Sequence, residues 1–350
     1  MGIISTFLFS DASESDLLWV KLNVEKQIVK KWVIVEGTFS HKGVYKGTCL
    51  REVLQEPRFL EFANRIEIII CNQNLLLSSN EQKIMFGLSW MKQTLRVFVR
   101  RVRELIRSMF ILSSFGITEM KRHRKENITK QEERKYHNAE KMLRNQAKEV
   151  ICKSASPKDW IFVSDVDEIL DGETAGIKEF FLEISENAFR FPCIVRIKVR
   201  QRLWDYDNLN VNANLSRVLV KAELLIENRL EVGQVRISRT FGWWSKLPIE
   251  GIHEYSSCLS REGIERKFQT YVHLADTNES LERALACNTT LSYGGEPQFL
   301  LKLDVNIDHH PNFVKENIEY LRTNLICKQF EENRSKIFSS RLEYSSSVTF

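Results

Sequence analysis

The sequence predicts an α/β protein: a mixed, mainly parallel sheet flanked by helices. Three observations carry that expectation. Short apolar runs with strand character alternate with helical segments through the first 71 residues. The runs are continuous, as in WVIV at Trp32–Val35. A further run, WIFV at Trp160–Val163, ends in SDVDE, so an apolar strand runs straight into a knot of negative charge.

In chain order, Ile3–Phe9 reads as a strand and Ser15–Lys30 as a helix with Leu17, Leu18, Leu22 and Ile28 as a partial apolar stripe. Trp32–Val35 is a strand ending in Glu36, and a glycine-containing loop follows to Gly47. Arg51–Asn64 is helical in part, and Arg65–Cys71 is a strand. Residues 81–112 break the rhythm. Leu88, Met91, Leu95, Val99, Val102, Ile106 and Met109 recur at helical spacing, with Arg96, Arg100, Arg103 and Arg107 on another face. This predicts an inserted amphipathic, cationic helix within an insertion of about 78–125. Gln131–Ile151 is a second helix leading into WIFV. Beyond the acids, Phe191–Val199 and Leu215–Ile226 read as strands, Phe241–Cys258 as an aromatic loop and Pro311–Leu325 as a helix. One domain over 1–330 is expected, with 331–350 a loose tail.

The 350 residues carry a net charge of +5, concentrated in one place. Residues 96–135 hold 12 Lys/Arg and 5 Asp/Glu, so the rest of the chain is slightly acidic. Such a zone suits an anionic partner. Its helix reads first as a lid or extra core element, then as a peripheral contact with an anionic membrane. No recognised module points to nucleic acid. Seven widely spaced cysteines with no C-x-x-C pair argue against a disulfide framework or zinc ribbon and for reduced thiols. The N-terminal stretch lacks the features of a signal peptide, and no run reaches membrane-span length, so a cytoplasmic enzyme is expected.

Ligands of open α/β sheets bind at the carboxyl ends of the strands, where Asp165 and Asp167 fall. In an extended chain, residues two apart point the same way, so both carboxylates are expected to face one site. Adjacent anions repel unless something positive lies between them. A hard divalent cation, Mg²⁺ or Mn²⁺, shared with a diphosphate would serve. An acidic turn capping the next helix is the plainer alternative. Two enzyme classes use such a pair: haloacid-dehalogenase phosphatases, which want Gly-Thr where this chain has Glu168 and Ile169, and nucleotide-sugar transferases of GT-A type.

The second option has further support. SDVDEI resembles the signature of glycosyltransferase family 17, the β-1,4-mannosyl-glycoprotein β-1,4-N-acetylglucosaminyltransferase family. FLFSDASESDLLWVKLN is similar to its opening strand and helix, VIVEGTFSHKGVYKG to its next strand and loop, and RNQAKEVICKSASPKDWIFVSDVDE to the helix entering D-x-D. GIHEYSSC, KFQTYVHLADTN and HHPNFVKENIEYL resemble its later segments, in order. The chain departs from the pattern at Leu170, where the family has Pro, and at Ile252, where it has Trp.

The resemblance implies a GT-A-like domain that takes a UDP-sugar, most closely UDP-GlcNAc, and a glycan acceptor; a lipid-linked acceptor would suit the cationic helix. It implies Asp167 as metal ligand, Asp165 on ribose or metal, and a histidine completing the shell, His253 or His273, each also readable as structural. Glu36 would contact nucleoside or be a loop carboxylate. Lys46, Arg144 and Asn145 would face diphosphate, plain solvation being the alternative for Lys46. Inversion needs a carboxylate base, Glu254 or Glu250. Trp243 and Trp244 would stack on a sugar or fill core.

Overall fold

The computed structural model describes residues 2–75, 134–186, 193–211, 215–237, 249–270, 281–282, 284–285, 289–291, 297–303 and 306–323. The amphipathic segment 81–112, the insertion 78–125, His273, Trp243, Trp244 and the tail 331–350 lie outside them.

One mixed sheet organises the described chain. Its parallel half is β3 (Ile66–Cys71), β2 (Val29–Gly37), β1 (Ile3–Leu8) and β4 (Trp160–Asp165), in that spatial order. Beyond β4 the sheet continues antiparallel through β8 (Ser216–Lys221), β6 (Ile194–Leu203), β7 (Asn208–Leu209) and β12 (Lys302–Leu303). Strand β9 (Ile249–Ser256) pairs parallel with β6 and antiparallel with the short β5 (Glu168–Leu170). A separate pair, β10 (Thr289–Leu291) and β11 (Pro297–Leu300), is antiparallel.

The continuous apolar strands are explained by two cores, one on each face. Successive side chains of a strand point to opposite faces. Ile3, Phe7, Trp32, Ile34, Trp160 and Phe162 pack on one side, against α1 (Ser15–Glu25) and α6 (Asn312–Thr323). Ile4, Leu8, Val33, Val35, Ile161 and Val163 pack on the other. There they meet Leu143, Ala147 and Ile151, from helical residues 134–145 and α2 (Ala147–Ser154). A parallel sheet covered on both faces needs such sequences.

The structure corrects several boundaries. The first helix stops at Glu25, because β2 begins at Val29, three residues before the apolar run. Residues Glu223–Ile226 form a helical turn, not the end of a strand. Residues 249–256, expected as loop, are strand β9, whose backbone partners come from β5 and β6. α3 (Ala175–Glu186) packs on β9, where Gly251 leaves room for Ile177: a Cβ there would sit 2.3 Å from its Cγ1. No helix among the described residues is long and apolar enough to cross a membrane.

Candidate active site

A cleft of about 350 Å³ opens at the carboxyl edge of the parallel half. The chain leaving β1 supplies Ser10, Asp11 and Glu14, the loop after β2 supplies His41 and Lys46, and the end of β4 supplies Asp165 and Asp167. Helical residues 134–145 add Glu140 and Arg144, and α5 (Arg261–Thr270) adds Arg266 and Lys267. The lining thus carries 5 carboxylates and 4 Lys/Arg side chains, which makes it a mixed-charge site rather than a plain anion trap.

The acidic pair reaches the cleft differently from expectation. Asp165 ends β4, but Val166 and Asp167 form a turn before β5, so the two carboxylates are not neighbours on one extended strand. Asp165 falls on the face where helical residues 134–145 pack, and Arg144 meets one of its oxygens. Arg236, from α4 (Val232–Ile237), meets the other at 2.5 Å. Burial pushes the Asp165 carboxyl up, but the two arginines outweigh it and hold it well below the usual range. Glu168 is treated alike. Burial raises it, while Arg217 and Arg236 (2.7 Å) draw it down. The answer to charge repulsion in this knot is therefore arginine.

Asp167 is the exception. Its carboxylate faces Lys267 Nζ at 3.3 Å. Burial lifts it above the usual range despite that lysine, with Asp165 and Glu168 adding to the rise.

Arg144 and Asn145 are both used, for different ends. Arg144 is buried, donating to the Ser164 carbonyl at 2.7 Å and to Glu140 at 3.0 Å besides Asp165. Asn145 does not line the cleft; its Oδ1 accepts from the Gly233 amide at 2.8 Å. Gly233 lies so close to Lys141 that a Cβ would come 2.5 Å from its carbonyl oxygen. The helix carrying Arg236 is thereby docked on helical residues 134–145. Lys46 lines the cleft and donates to the Ser10 carbonyl at 2.8 Å.

Four more expected site residues are placed elsewhere. Glu36 is fully buried behind the cleft, accepting from the Cys49 and Leu50 amides at 2.8 and 3.1 Å, so it caps a helical turn. Glu250 is exposed at the start of β9, paired with Lys198 at 3.0 Å. His253 points away from the cleft, its ring nitrogens 3.5 Å from Asp171 and from Arg202. Burial lowers its pKa further than Asp171 restores it. Glu254, on the other face of β9, sits opposite Glu168 in the ladder, and Arg217 bridges the two acids. Gln201 and Ser256 also donate to it, at 2.6 and 2.5 Å, and it does not line the cleft. Among the described residues no group of three His, Cys, Asp or Glu side chains is arranged as a metal cage.

The structure adds residues the sequence reading passed over: Glu14, His41, Glu140, Arg217, Arg236 and Lys267. The rule that singled out β4, that ligands meet strand ends, also covers the chain after β1 and β2, where Glu14 and His41 lie. Burial keeps the His41 imidazole below its ordinary pKa, hence neutral near pH 7, while Arg144 is the main charge taking Glu140 down to about 2 against burial.

Glu14 is buried in the cleft wall and accepts the Ser10 amide at 2.9 Å. Burial pushes its carboxyl up to about 7, against the pull of Lys267. A raised acid binds its proton more tightly folded than unfolded, so stability falls as pH rises from 4.5 to about 7. We expect Glu14→Gln to remove roughly 3 kcal/mol of that loss. Urea melts at pH 5 and pH 8 check it: the variant should gain on the wild type only at the higher pH.

No protein-family model and no curated protein matches this chain.

Proposed function

We propose that the cleft binds a nucleoside-diphosphate sugar and that the protein transfers the sugar, with inversion, to a carbohydrate hydroxyl. UDP-GlcNAc is the donor the sequence resemblance favours. The observation that carries this reading is Asp167: a carboxylate delivered from the end of a parallel strand into a cleft that also holds Lys46, Arg144, Arg266 and Lys267. A metal-diphosphate combines both charge signs, as the lining does.

A divalent ion fits the donor set in part. Mg²⁺ takes one or two carboxylates together with substrate phosphates and water. Asp167 suits that role, whereas Asp165 is engaged by Arg144 and Arg236, and His253 lies away from the cleft. Bound there, the ion would supply neutralisation of the charge developing on the departing diphosphate. Arg144 and Lys46 would hold the diphosphate from the sides of β4 and β2, Arg144 being already oriented by Ser164 and Glu140. In place of Glu254 or Glu250, Glu14 is the carboxyl we assign to take the acceptor's proton. It is buried, lines the cleft and titrates near neutrality.

The phosphatase alternative needs Asp165 as nucleophile, and the arginine on each of its oxygens weighs against it. Thermal-shift measurements with UDP, GDP, CMP and UDP-GlcNAc, each with and without Mn²⁺, test the proposal. A donor raises the melting temperature by mass action. Stabilisation by uridine nucleotides that needs metal is expected; no response to any nucleotide would overturn it.

A further inference from the structure

Lys267 meets Asp167, the carboxylate to which the proposed function gives the metal. Its helix is fixed in place. Gly263 packs so near Ser13 that a Cβ would lie 2.9 Å from that side chain, and Lys42 Nζ donates to the Phe268 carbonyl at 2.9 Å. The helix is therefore clamped between the chain after β1 and the loop after β2, and Lys267 is held over Asp167. Two other cations of the cleft are committed differently. Arg144 makes fixed bonds to a backbone carbonyl and two carboxylates, and Lys46 is bonded to the Ser10 carbonyl. The contact between Lys267 and Asp167, at 3.3 Å, is long for a charge-assisted bond. A lysine is a compact charge on a flexible stem, and it can change partners by rotating about single bonds.

We propose that Lys267 is the exchangeable counter-ion of Asp167: it neutralises the carboxylate in the free protein and passes to the diphosphate when a divalent cation takes Asp167. This rests on the donor-site reading above. It adds an order of events. Without a diphosphate, the metal must displace the ammonium from Asp167 and then sit beside its like charge, so metal alone binds weakly. With a diphosphate, the displaced ammonium gains a partner, so metal and diphosphate bind together. The coupling is reciprocal. Glu14 shares the pocket and feels Lys267 more than any other charge.

The test is a calorimetric titration of Mn²⁺ alone, of inorganic pyrophosphate with Mn²⁺, and of UDP with Mn²⁺, on wild type, Lys267→Met and Lys267→Gln. Both variants should bind Mn²⁺ alone about tenfold more tightly, because the ammonium that competes for Asp167, 3.3 Å from it, is gone. Both should bind Mn²⁺-pyrophosphate about tenfold more weakly, because a cation that meets it is gone. That crossed pattern would support the exchange. Weaker or unchanged Mn²⁺ binding, or unchanged pyrophosphate binding, would overturn it. Crossed behaviour with pyrophosphate but no binding of UDP would instead remove the nucleotide-sugar reading and leave the exchange standing. Lys267 is partly exposed, and the Gln variant guards against a packing defect peculiar to Met.

Discussion

Lys21→Met should destabilise the protein by about 3–5 kcal/mol, the cost of leaving one partner of a buried ion pair uncompensated. Lys21 is fully buried under the acidic turn. Its ammonium donates to Glu25 at 2.8 Å, to the Ser164 hydroxyl at 3.1 Å and to the Glu168 carbonyl. It also lies 4.9 and 5.1 Å from the ring centroids of Phe7 and Phe162. Glu25 in turn accepts from the Trp32 indole at 3.0 Å and the Leu170 amide at 3.1 Å. One helix thus grips the chain before and after Asp165-Val166-Asp167. Without the ammonium, Glu25 is a buried anion with only neutral donors. Lys21→Met/Glu25→Gln should recover part of the loss, since the amide keeps an acceptor oxygen without the charge. Urea denaturation of the single and double variants reads both effects. A single variant within about 1 kcal/mol of wild type would contradict the importance assigned to the pair.

Arg236→Met should cost a similar amount, about 3–5 kcal/mol at pH 7, because two carboxylates lose a cation together. Asp165 would retain Arg144, and Glu168 would retain Arg217. The pH dependence separates this from a packing defect. In the wild type both acids sit below their ordinary values of 3.8 and 4.5, so their stabilisation is complete above that range and is lost as pH falls through the lowered values. In the variant the two acids have less stabilisation to lose. The gap between variant and wild type should therefore narrow on acidification from pH 7 to pH 3. A gap of constant size would mean that Arg236 acts through its packing alone.

The frame of the protein was legible because it is written locally. IISTFL, WVIV and WIFVSD each carry enough apolar residues to be strands on both-sided burial alone, and Asn312–Thr323 shows its apolar stripe at helical spacing. Asp165 and Asp167 were legible because charge after an apolar strand has few explanations at a sheet edge. Strand β9 was not. Glu250, His253 and Glu254 make it polar, and its ladder partners lie more than 45 residues away in β6 and more than 80 away in β5. Arg217 and Arg236 were invisible for a related reason. Each is a single arginine in an unremarkable segment, and only tertiary packing, including the close approach at Gly233, brings them to the acids. His253 stayed open between ligand and structural histidine because a histidine two residues after a glycine says nothing about which face of a strand it occupies. The ladder decides that, placing Glu254 toward the acids and His253 against Asp171.

The central claim is that Asp167 holds a metal-diphosphate in the cleft. The most direct measurement is calorimetric titration of UDP into wild type and Asp167→Ala, with and without Mn²⁺. Binding to wild type that requires Mn²⁺, and that weakens by about a hundredfold or more in the variant, is the expected result. UDP binding that is indifferent to both metal and the substitution would contradict it.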